Sequence, residues 1–216
     1  MDILSLLPEN LIFLLPSLLL AVTVHEFSHA WVSHRLGDPT PRYNARITLN
    51  PLAHIDPLGL ITLLVFGFGW GKAVEIDPSY YRNQRQGILL VSVAGPISNI
   101  VTAFLLMFGF VVLLSTNPML EDSFGAQLLR TGFSINVVLA VFNMLPIPPL
   151  DGSKVLASLL PRRLAYRFQS LAQQWGFFIL ILLMATGLIG TILRPLSNAL
   201  LWGMFRAILA VVGVVM

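Results

Sequence analysis

The sequence contains no cysteine, and only 11% of its residues are charged, whereas 56% are hydrophobic. The missing cysteine excludes disulfide bonds, thiolate metal sites and a cysteine nucleophile. The shortage of charge, together with a mean hydropathy of +0.81, excludes an ordinary soluble domain and predicts an integral membrane protein. The net charge of +3 is then a matter of membrane topology, and no nucleic-acid partner is expected.

Five long apolar segments are each long enough, or nearly so, to cross about 30 Å of hydrocarbon as a helix. They cover residues 10–32, 88–114, 131–149, 174–192 and 196–214. A sixth apolar run, 58–68, is too short to span and is interrupted by glycines, which favours a short re-entrant segment. The sequence therefore predicts an all-α polytopic membrane protein, a bundle of about five transmembrane helices.

Residues 70–77 alternate between apolar and polar side chains, a pattern typical of a β-strand. We expect a small β-hairpin here, near the cytoplasmic surface of the membrane, with a plain loop as the alternative. The whole chain, 1–216, is interpreted as one domain, because no repeat, low-complexity tract or appended soluble segment interrupts it. Its catalytic core is expected at about 10–155, and its C-terminal helices at about 174–214.

The basic residues are unevenly divided between the two predicted faces of the membrane. If 58–68 returns to the side from which it came, one face receives most of them, namely Arg35, Arg42, Arg46, Lys72, Arg82, Arg85, Lys154, Arg162, Arg163 and Arg167. The other face receives Arg130 and Arg194, and Arg206 lies within the last apolar segment. Because basic loops stay in the cytoplasm, the N-terminus is expected outside the cell membrane and the basic face inside.

The first apolar segment contains the motif HExxH at positions 25–29. Four residues of α-helix turn through about 400°, so that His25 and His29 share one face. Two imidazoles at this spacing bind one metal ion, and Glu26 lies where it reaches a water molecule on that ion. The alternative is polar contact between helices, but each ionisable group near mid-membrane costs roughly 2.5–3.5 kcal/mol, which a divalent metal would offset.

A catalytic zinc ion usually has three protein ligands, so a third is needed. Asp151 follows residues 143–150, where three prolines within four positions end any regular helix. Irregular backbone at membrane depth lines a cavity or is buried, and the five-span topology brings Asp151 to the same end of the bundle as HExxH. We therefore favour Asp151. The remaining candidates are His34, for which a surface position is more typical, and His54, for which a structural hydrogen bond is.

With these motifs in place, the chain resembles the site-2 protease family of intramembrane zinc metalloproteases, in its short bacterial branch without PDZ or CBS domains. Three motifs support this resemblance: HExxH at 25–29, NxxPxPxLDG at 143–152 and Ala-Gly-Pro-Ile-Ser-Asn at 94–99. The resemblance implies a metalloendopeptidase with one zinc ion held by His25, His29 and Asp151, and with Glu26 as the catalytic acid/base.

The resemblance also implies further positions around the site. Asn143 is expected to stabilise the substrate or the oxyanion. Packing or supporting roles are expected for His54, Gly95, Pro96 and Asn99. The active site is expected toward the cytoplasmic side of the membrane, and the lipid bilayer is an expected partner.

The expected reaction is hydrolysis of peptide bonds in transmembrane or membrane-associated proteins, either in regulated intramembrane proteolysis or in clearance of membrane proteins and peptides. A transmembrane helix hides its carbonyls in its own hydrogen bonds, so the substrate has to unwind locally. The strand near 70–77 would hold the unwound chain. The alternative is a non-proteolytic membrane protein that binds or transports metal, for which a glutamate between two ligands is less suited.

Overall fold

A computed structural model describes residues 11–66 and 69–213, and this part of the chain contains eight α-helices. They are α1 (Leu11–Arg35), α2 (Thr40–Tyr43), α3 (Pro57–Phe66), α4 (Gln84–Thr116), α5 (Phe124–Asn143), α6 (Asp151–Leu159), α7 (Arg162–Ala185) and α8 (Leu188–Val212). Helices α1, α4, α5, α7 and α8 are long and apolar enough to cross a membrane. The prediction of an all-α, multi-pass membrane protein with five spans is confirmed.

The third span differs from its predicted range of 131–149, because local capping sets both of its ends. Ser123 begins α5 by accepting a hydrogen bond from the Ala126 N–H. The helix ends at Asn143, just before the proline-rich residues, whose missing N–H groups cannot continue it. Residues 144–150 therefore form an irregular connection that leads directly into α6.

The predicted boundary between the last two spans is wrong. It was expected near Arg194 and Pro195, but both residues lie inside α8. The turn is instead at Thr186 and Gly187, where Gly187 adopts a left-handed conformation with φ of 70°. Glycine is the residue that takes this conformation without steric cost, whereas proline within a transmembrane helix is tolerated.

The predicted strand and hairpin at 70–77 are also wrong. Within 11–66 and 69–213 no strand forms, and β-type pairing is limited to one antiparallel bridge between Ile55 and Gly71. The physical reason is that residues 71–77, here called the connecting segment, give their backbone groups to partners other than a second strand. The Val74 N–H donates to a side chain of α1, for example, at 2.9 Å.

The predicted re-entrant membrane segment at 58–68 gains no support. The structure forms the ten-residue helix α3 there, which is too short to span and is not one of the five candidate spans. Part of that prediction, at residues 67 and 68, lies outside the described residues.

Helices α1, α4 and α5 pack against one another, and α6 packs on α4. An apolar core between α4, α5 and α8 is formed by Ala103, Met107, Val111, Val137, Met204 and Ile208. The C-terminal helices are less enclosed, since 11% of the apolar window of α7 is buried inside the protein, against 28% for α1. The three-helix unit of α1, α4 and α5 therefore forms the interior in which polar side chains are placed.

Candidate metal centre

Three side chains from distant parts of the chain converge inside the helix bundle. His25 and His29 lie one turn apart on α1, and Asp151 is the first residue of α6. The Asp151 Oδ2 atom lies 3.1 Å from His25 Nε2 and 3.0 Å from His29 Nε2, and the two Nε2 atoms are 3.0 Å apart. All three residues are buried, and together they form a group that could hold a metal ion.

The second nitrogen of each imidazole is held by a fixed partner. His29 Nδ1 lies 2.7 Å from the Val91 carbonyl, which only accepts hydrogen bonds, so Nδ1 is the donor. His25 Nδ1 lies 2.7 Å from Asn99 Oδ1, and the same amide donates through Nδ2 to the Ala21 carbonyl at 2.9 Å. These bonds place a proton on each Nδ1 and leave the Nε2 lone pairs directed at the common point.

This arrangement fits a cation. With both protons on Nδ1, the two Nε2 lone pairs and the Asp151 carboxylate face one another at hydrogen-bond distance with no proton among them. Such a set of electron-pair donors is repulsive by itself and is neutralised by a positive ion at its centre. Two imidazoles and one carboxylate are a known ligand set for catalytic zinc.

Asn99 belongs to a buried amide network that extends to α5. Its Nδ2 also donates to Asn136 Oδ1 at 2.9 Å, and Asn136 Nδ2 donates to the Gly132 carbonyl at 2.8 Å. Both amides are fully buried. Asn136 was missed by the sequence predictions; the available signal was a second amide in the same apolar segment as Asn143, seven residues earlier and hence on the same helix face.

Gly95 allows α4 to approach the histidines closely. A Cβ atom at this position would lie 2.5 Å from His29 Nε2 and 2.7 Å from His25 Nε2, inside van der Waals contact. The next residue, Pro96, is fully buried in α4. Gly95 thus lies against the two histidines, and the packing roles predicted for Gly95 and Pro96 stay predictions.

Asp151 is ionised in its setting. Burial alone would raise the pKa of this carboxyl group, but the two neighbouring imidazoles and the positive charge of Lys154 lower it well below its usual range. Lys154 Nζ donates to Asp151 Oδ1 at 3.1 Å. One carboxylate oxygen is thus engaged by an ammonium group while the other faces the histidines. Lys154 was predicted only as one of the basic residues on the cytoplasmic face.

Glu26 lies next to this cluster but is bound differently. Its Oε2 accepts a hydrogen bond from the Val74 N–H of the connecting segment at 2.9 Å. Glu26 borders a cavity of about 450 Å³ that also reaches His25, His29 and Asp151. The apolar walls of this cavity include Leu18, Val22, Leu60, Leu63, Phe142 and Leu180.

The other predicted residues are separate from the cluster. His54 is fully buried, donates from Nε2 to the Thr48 carbonyl at 2.8 Å and lines the cavity. Asn143 also lines the cavity, where its Nδ2 donates to the Leu139 carbonyl at 3.0 Å. His34 lies outside the cluster, with Nδ1 at 3.2 Å from the Asp38 carbonyl.

Comparison with known proteins identifies the chemistry. The model of peptidase family M50 matches residues 119–183. The Bacillus subtilis protein named "Putative zinc metalloprotease YwhC" is 35% identical over 199 residues, which are 91% of this chain and 89% of that protein. No solved structure matches the chain with significance.

Mycobacterial relatives named "Putative zinc metalloprotease Rip2" are similar over shorter shares of their length. The Mycolicibacterium smegmatis protein is 34% identical over 177 residues, which are 78% of this chain and 64% of that protein. The Mycobacterium tuberculosis protein is 33% identical over 183 residues, which are 80% of this chain and 66% of that protein. None of these names supports a metal transporter. The chain belongs to peptidase family M50, the site-2 proteases, and is an intramembrane zinc metalloprotease.

Proposed function

We propose that His25, His29 and Asp151 hold the zinc ion and that Glu26 moves the proton in hydrolysis of a membrane-protein peptide bond. The observation that carries the proposal is the convergence of His25 Nε2, His29 Nε2 and Asp151 Oδ2 to separations of 3.0–3.1 Å. Both imidazoles have their Nδ1 atoms engaged by other partners, so that only Nε2 is left for a metal.

Zinc held at this point supplies Lewis-acid chemistry, polarising a carbonyl group and lowering the pKa of a coordinated water molecule to about 7. The Glu26 carboxylate takes the proton of the attacking water and later gives it to the leaving amide nitrogen. Because Oε2 of Glu26 accepts from the Val74 N–H, Oε1 is the atom available to exchange this proton. Asn143, on the wall of the same cavity, is proposed to bind the substrate carbonyl or the developing oxyanion.

The proposed substrate is a transmembrane segment that has unwound locally. A helix offers no free carbonyl to the site, since all of its carbonyls accept bonds from within the helix. The cavity lining includes apolar side chains of α1, α3 and α7, such as Val22, Leu63 and Phe177, which suit the side chains of such a segment. The lining also includes Glu26, Asn143 and Lys154, which suit an exposed peptide group.

The connecting segment is the proposed element that holds the unwound chain. Its residues Lys72 and Val74 direct hydrogen bonds inward, to His54 and Glu26 respectively. Within the described residues, the intervening Ala73 and the following Glu75 make no backbone hydrogen bonds, so their N–H and C=O groups are available to a peptide. Backbone pairing of this kind gives affinity without demanding a particular sequence.

The proposed orientation has the N-terminus outside and the active site toward the cytoplasm. It rests on the basic residues, because the loop between α1 and α4, the connection around α6 and the start of α7 carry nearly all of them. We also propose that 1–216 forms one domain, with a catalytic core at about 10–155 and C-terminal helices at about 174–214.

Substitution of Glu26 by Gln tests the function. The purified protein, wild type or Glu26→Gln, is incubated with a labelled single-span substrate that contains a helix-weakening Gly-Pro pair at mid-span. The expected result is one zinc ion per chain in both proteins and cleavage by the wild type alone, since glutamine cannot accept the proton. Cleavage by Glu26→Gln at the wild-type rate would overturn the role of Glu26.

A matched substrate tests the need for unwinding. Replacing the Gly-Pro pair of the single-span substrate by Ala-Leu restores a regular helix. We expect cleavage by the wild-type enzyme to slow by about 10-fold or more, because proline and glycine together weaken a helix by several kcal/mol. Equal rates for the two substrates would contradict the proposal that the helix must unwind.

A further inference from the structure

Arg46 is a buried cation in the loop between α2 and α3. Only 4% of its surface is exposed, and within the described residues it has no carboxylate within 4.0 Å. Its guanidinium donates instead to two backbone carbonyls, those of Ala53 and Lys72. An arginine buried without an ion pair is costly for stability, and an apolar side chain of similar volume would avoid that cost. A requirement of the site is therefore the better explanation for this residue.

The two carbonyls belong to the two stretches of chain that meet beside the site. Ala53 precedes His54, whose carbonyl accepts from the Lys72 N–H at 2.9 Å. One residue further, Ile55 pairs with Gly71 in the antiparallel bridge. Arginine presents several N–H donors in a rigid planar fork, so a single side chain fixes both carbonyls relative to each other. Arg46 therefore locks the position at which the connecting segment begins.

The connecting segment runs from the Lys72 carbonyl, which Arg46 binds, to the N–H that binds the proposed base, Glu26. Two residues after Lys72, the Val74 N–H donates to Glu26 Oε2 at 2.9 Å. Arg46 is also close enough to Glu26 for their charges to interact. Burial lowers the pKa of Arg46, while the negative charges of Glu26 and Glu75 oppose that change. A continuous set of bonds thus connects the guanidinium with the Glu26 carboxylate without direct contact between them.

We propose that Arg46 is a positioning residue for Glu26, which it serves by fixing the connecting segment so that the Val74 N–H holds Oε2 and Oε1 faces the reacting water. The proposal rests on the proposed role of Glu26 as the base. In this proposal Arg46 affects the chemical step through Glu26, in addition to being one of the basic residues on the proposed cytoplasmic face.

The test compares Arg46→Met with Arg42→Met in the full-length protein. Arg42 is the matched control, because it is an arginine four residues earlier, in α2, and its side chain is exposed. Fluorescein-labelled casein is the substrate, since this unfolded protein requires no helix unwinding and so reports on the chemical step. For Arg46→Met we expect kcat to fall by about 10–100-fold, the effect typical of a catalytic group displaced by about 1 Å. We expect KM to change less than twofold, zinc to stay at one ion per chain, and Arg42→Met to equal the wild type.

A second pair of variants tests the same connection without touching the arginine. Val74→Pro removes the N–H that binds Glu26, whereas Val74→Ala keeps it. We expect Val74→Pro to lower kcat as Arg46→Met does, and Val74→Ala to lower kcat much less than Val74→Pro because the N–H is kept. This pair keeps the proposal open to refutation if Arg46→Met does not fold.

A double substitution separates positioning from general damage to the structure. Glu26→Asp shortens the side chain by one methylene, which withdraws the carboxylate from the Val74 N–H. If Arg46 acts through Glu26, adding Arg46→Met to Glu26→Asp lowers kcat by less than about threefold further. A full additional loss, a loss of zinc from Arg46→Met, or equal kcat for Arg46→Met and Arg42→Met would overturn the inference. Full activity of Glu26→Gln would instead overturn the proposed function on which it rests.

Discussion

The two halves of the site are supported by different kinds of structure, helices on one side and an irregular segment on the other. On the metal side, His25, His29 and Asp151 are oriented by groups on the helices α4 and α6, including the buried Asn99 amide. On the base side, Glu26 is held by a backbone N–H of an irregular connecting segment. The proposed metal ligands are thus oriented by helices, whereas the proposed base is held by the irregular connecting segment, which we also propose to contact the substrate.

The base side has its own anchors at the far end of the connecting segment. Asp38, fully buried, accepts from Ser33 Oγ at 2.7 Å, from the Thr40 N–H at 2.9 Å and from the Asp77 N–H at 2.8 Å. The Tyr81 hydroxyl adds a bond of 2.6 Å with Ser33. The connecting segment is thus fixed at both ends by side chains, Arg46 near its start and Asp38 at its end, and no sheet supports it among the residues that the structure describes.

The largest expected effect comes from Gly95, on the metal side. In Gly95→Ala the new Cβ atom would lie within 2.7 Å of both Nε2 atoms, so α4 or the histidines must shift. We expect bound zinc and proteolysis to fall by about 100-fold or more, because a ligand displaced by a fraction of an ångström loses its geometry. Zinc analysis and casein cleavage measure this. Gly109→Ala on the same helix is the control, since among the described residues its Cβ would approach Leu129 no closer than 4.0 Å. Full zinc in Gly95→Ala would refute the prediction.

The next effect concerns the amide network behind His25. Asn99→Ala removes the acceptor of the His25 Nδ1 proton, and we expect zinc affinity to fall by about 10–100-fold. Asn136→Ala removes only the partner of Asn99, so a smaller loss, about threefold, is expected. Competition with a chelator measures both affinities. Equal losses for the two variants would mean that Asn136 acts by another route.

A smaller effect is expected from Asp38, on the base side. Asp38→Asn weakens the anchor of the connecting segment, so kcat should fall by about 3–10-fold while zinc stays bound. Asp122→Asn, an exposed substitution in the loop after α4, is the control. Loss of zinc from Asp38→Asn would contradict the separation of the two sides.

The pH dependence of stability follows from the same carboxyl group. Burial would raise the pKa of Asp38, but hydrogen bonds from Thr40, Asp77 and Ser33 lower it below its usual value. A lowered pKa in the folded state stabilises the protein above the ordinary value of about 3.9, and this stabilisation is lost as the pH falls through the lowered pKa. Thermal unfolding of Asp38→Asn should therefore depend less on pH between about 5 and 3 than that of the wild type. Parallel curves would contradict this.

The smallest effect is expected from Tyr81→Phe. The substitution removes one hydroxyl, whose bond to Ser33 is one step away from Asp38. We expect the free energy of unfolding to fall by about 0.5–1.5 kcal/mol, with kcat within about twofold of the wild type. Thermal unfolding and casein cleavage measure these values. A tenfold loss of kcat would show that the base side is more tightly coupled than its contacts indicate.

Sequence reasoning predicted the metal side better than the base side. HExxH fixes the relation of His25 and His29 by helix periodicity, and the proline-rich break together with the charge bias placed Asp151 at the same depth. The contributions of Val91 and Val74 come from backbone atoms, which every residue carries and which no side-chain pattern reveals. Arg46 likewise donates to backbone carbonyls. The sequence therefore shows that this residue is charged, but it does not show which groups the guanidinium binds.

The ends of the helices were also difficult to predict from the sequence. The sequence interpretation placed the last turn near Arg194 and Pro195, between the apolar segments 174–192 and 196–214. A transmembrane helix accommodates proline, and the left-handed Gly187 sets the turn eight residues earlier. The strand-like alternation at 70–77 misled for a related reason, since alternation predicts a pleat only where a neighbouring strand is available to pair.

The turn between α7 and α8 also bears on how the protein enters the membrane. Only Thr186 and Gly187 separate the two helices, so neither helix can be inserted long before the other. In the orientation that we propose, this turn is carried across the bilayer and is uncharged, whereas Arg162, Arg163 and Arg167 at the start of α7 resist translocation. We therefore expect α7 and α8 to enter the lipid together as one helical hairpin, with the turn first.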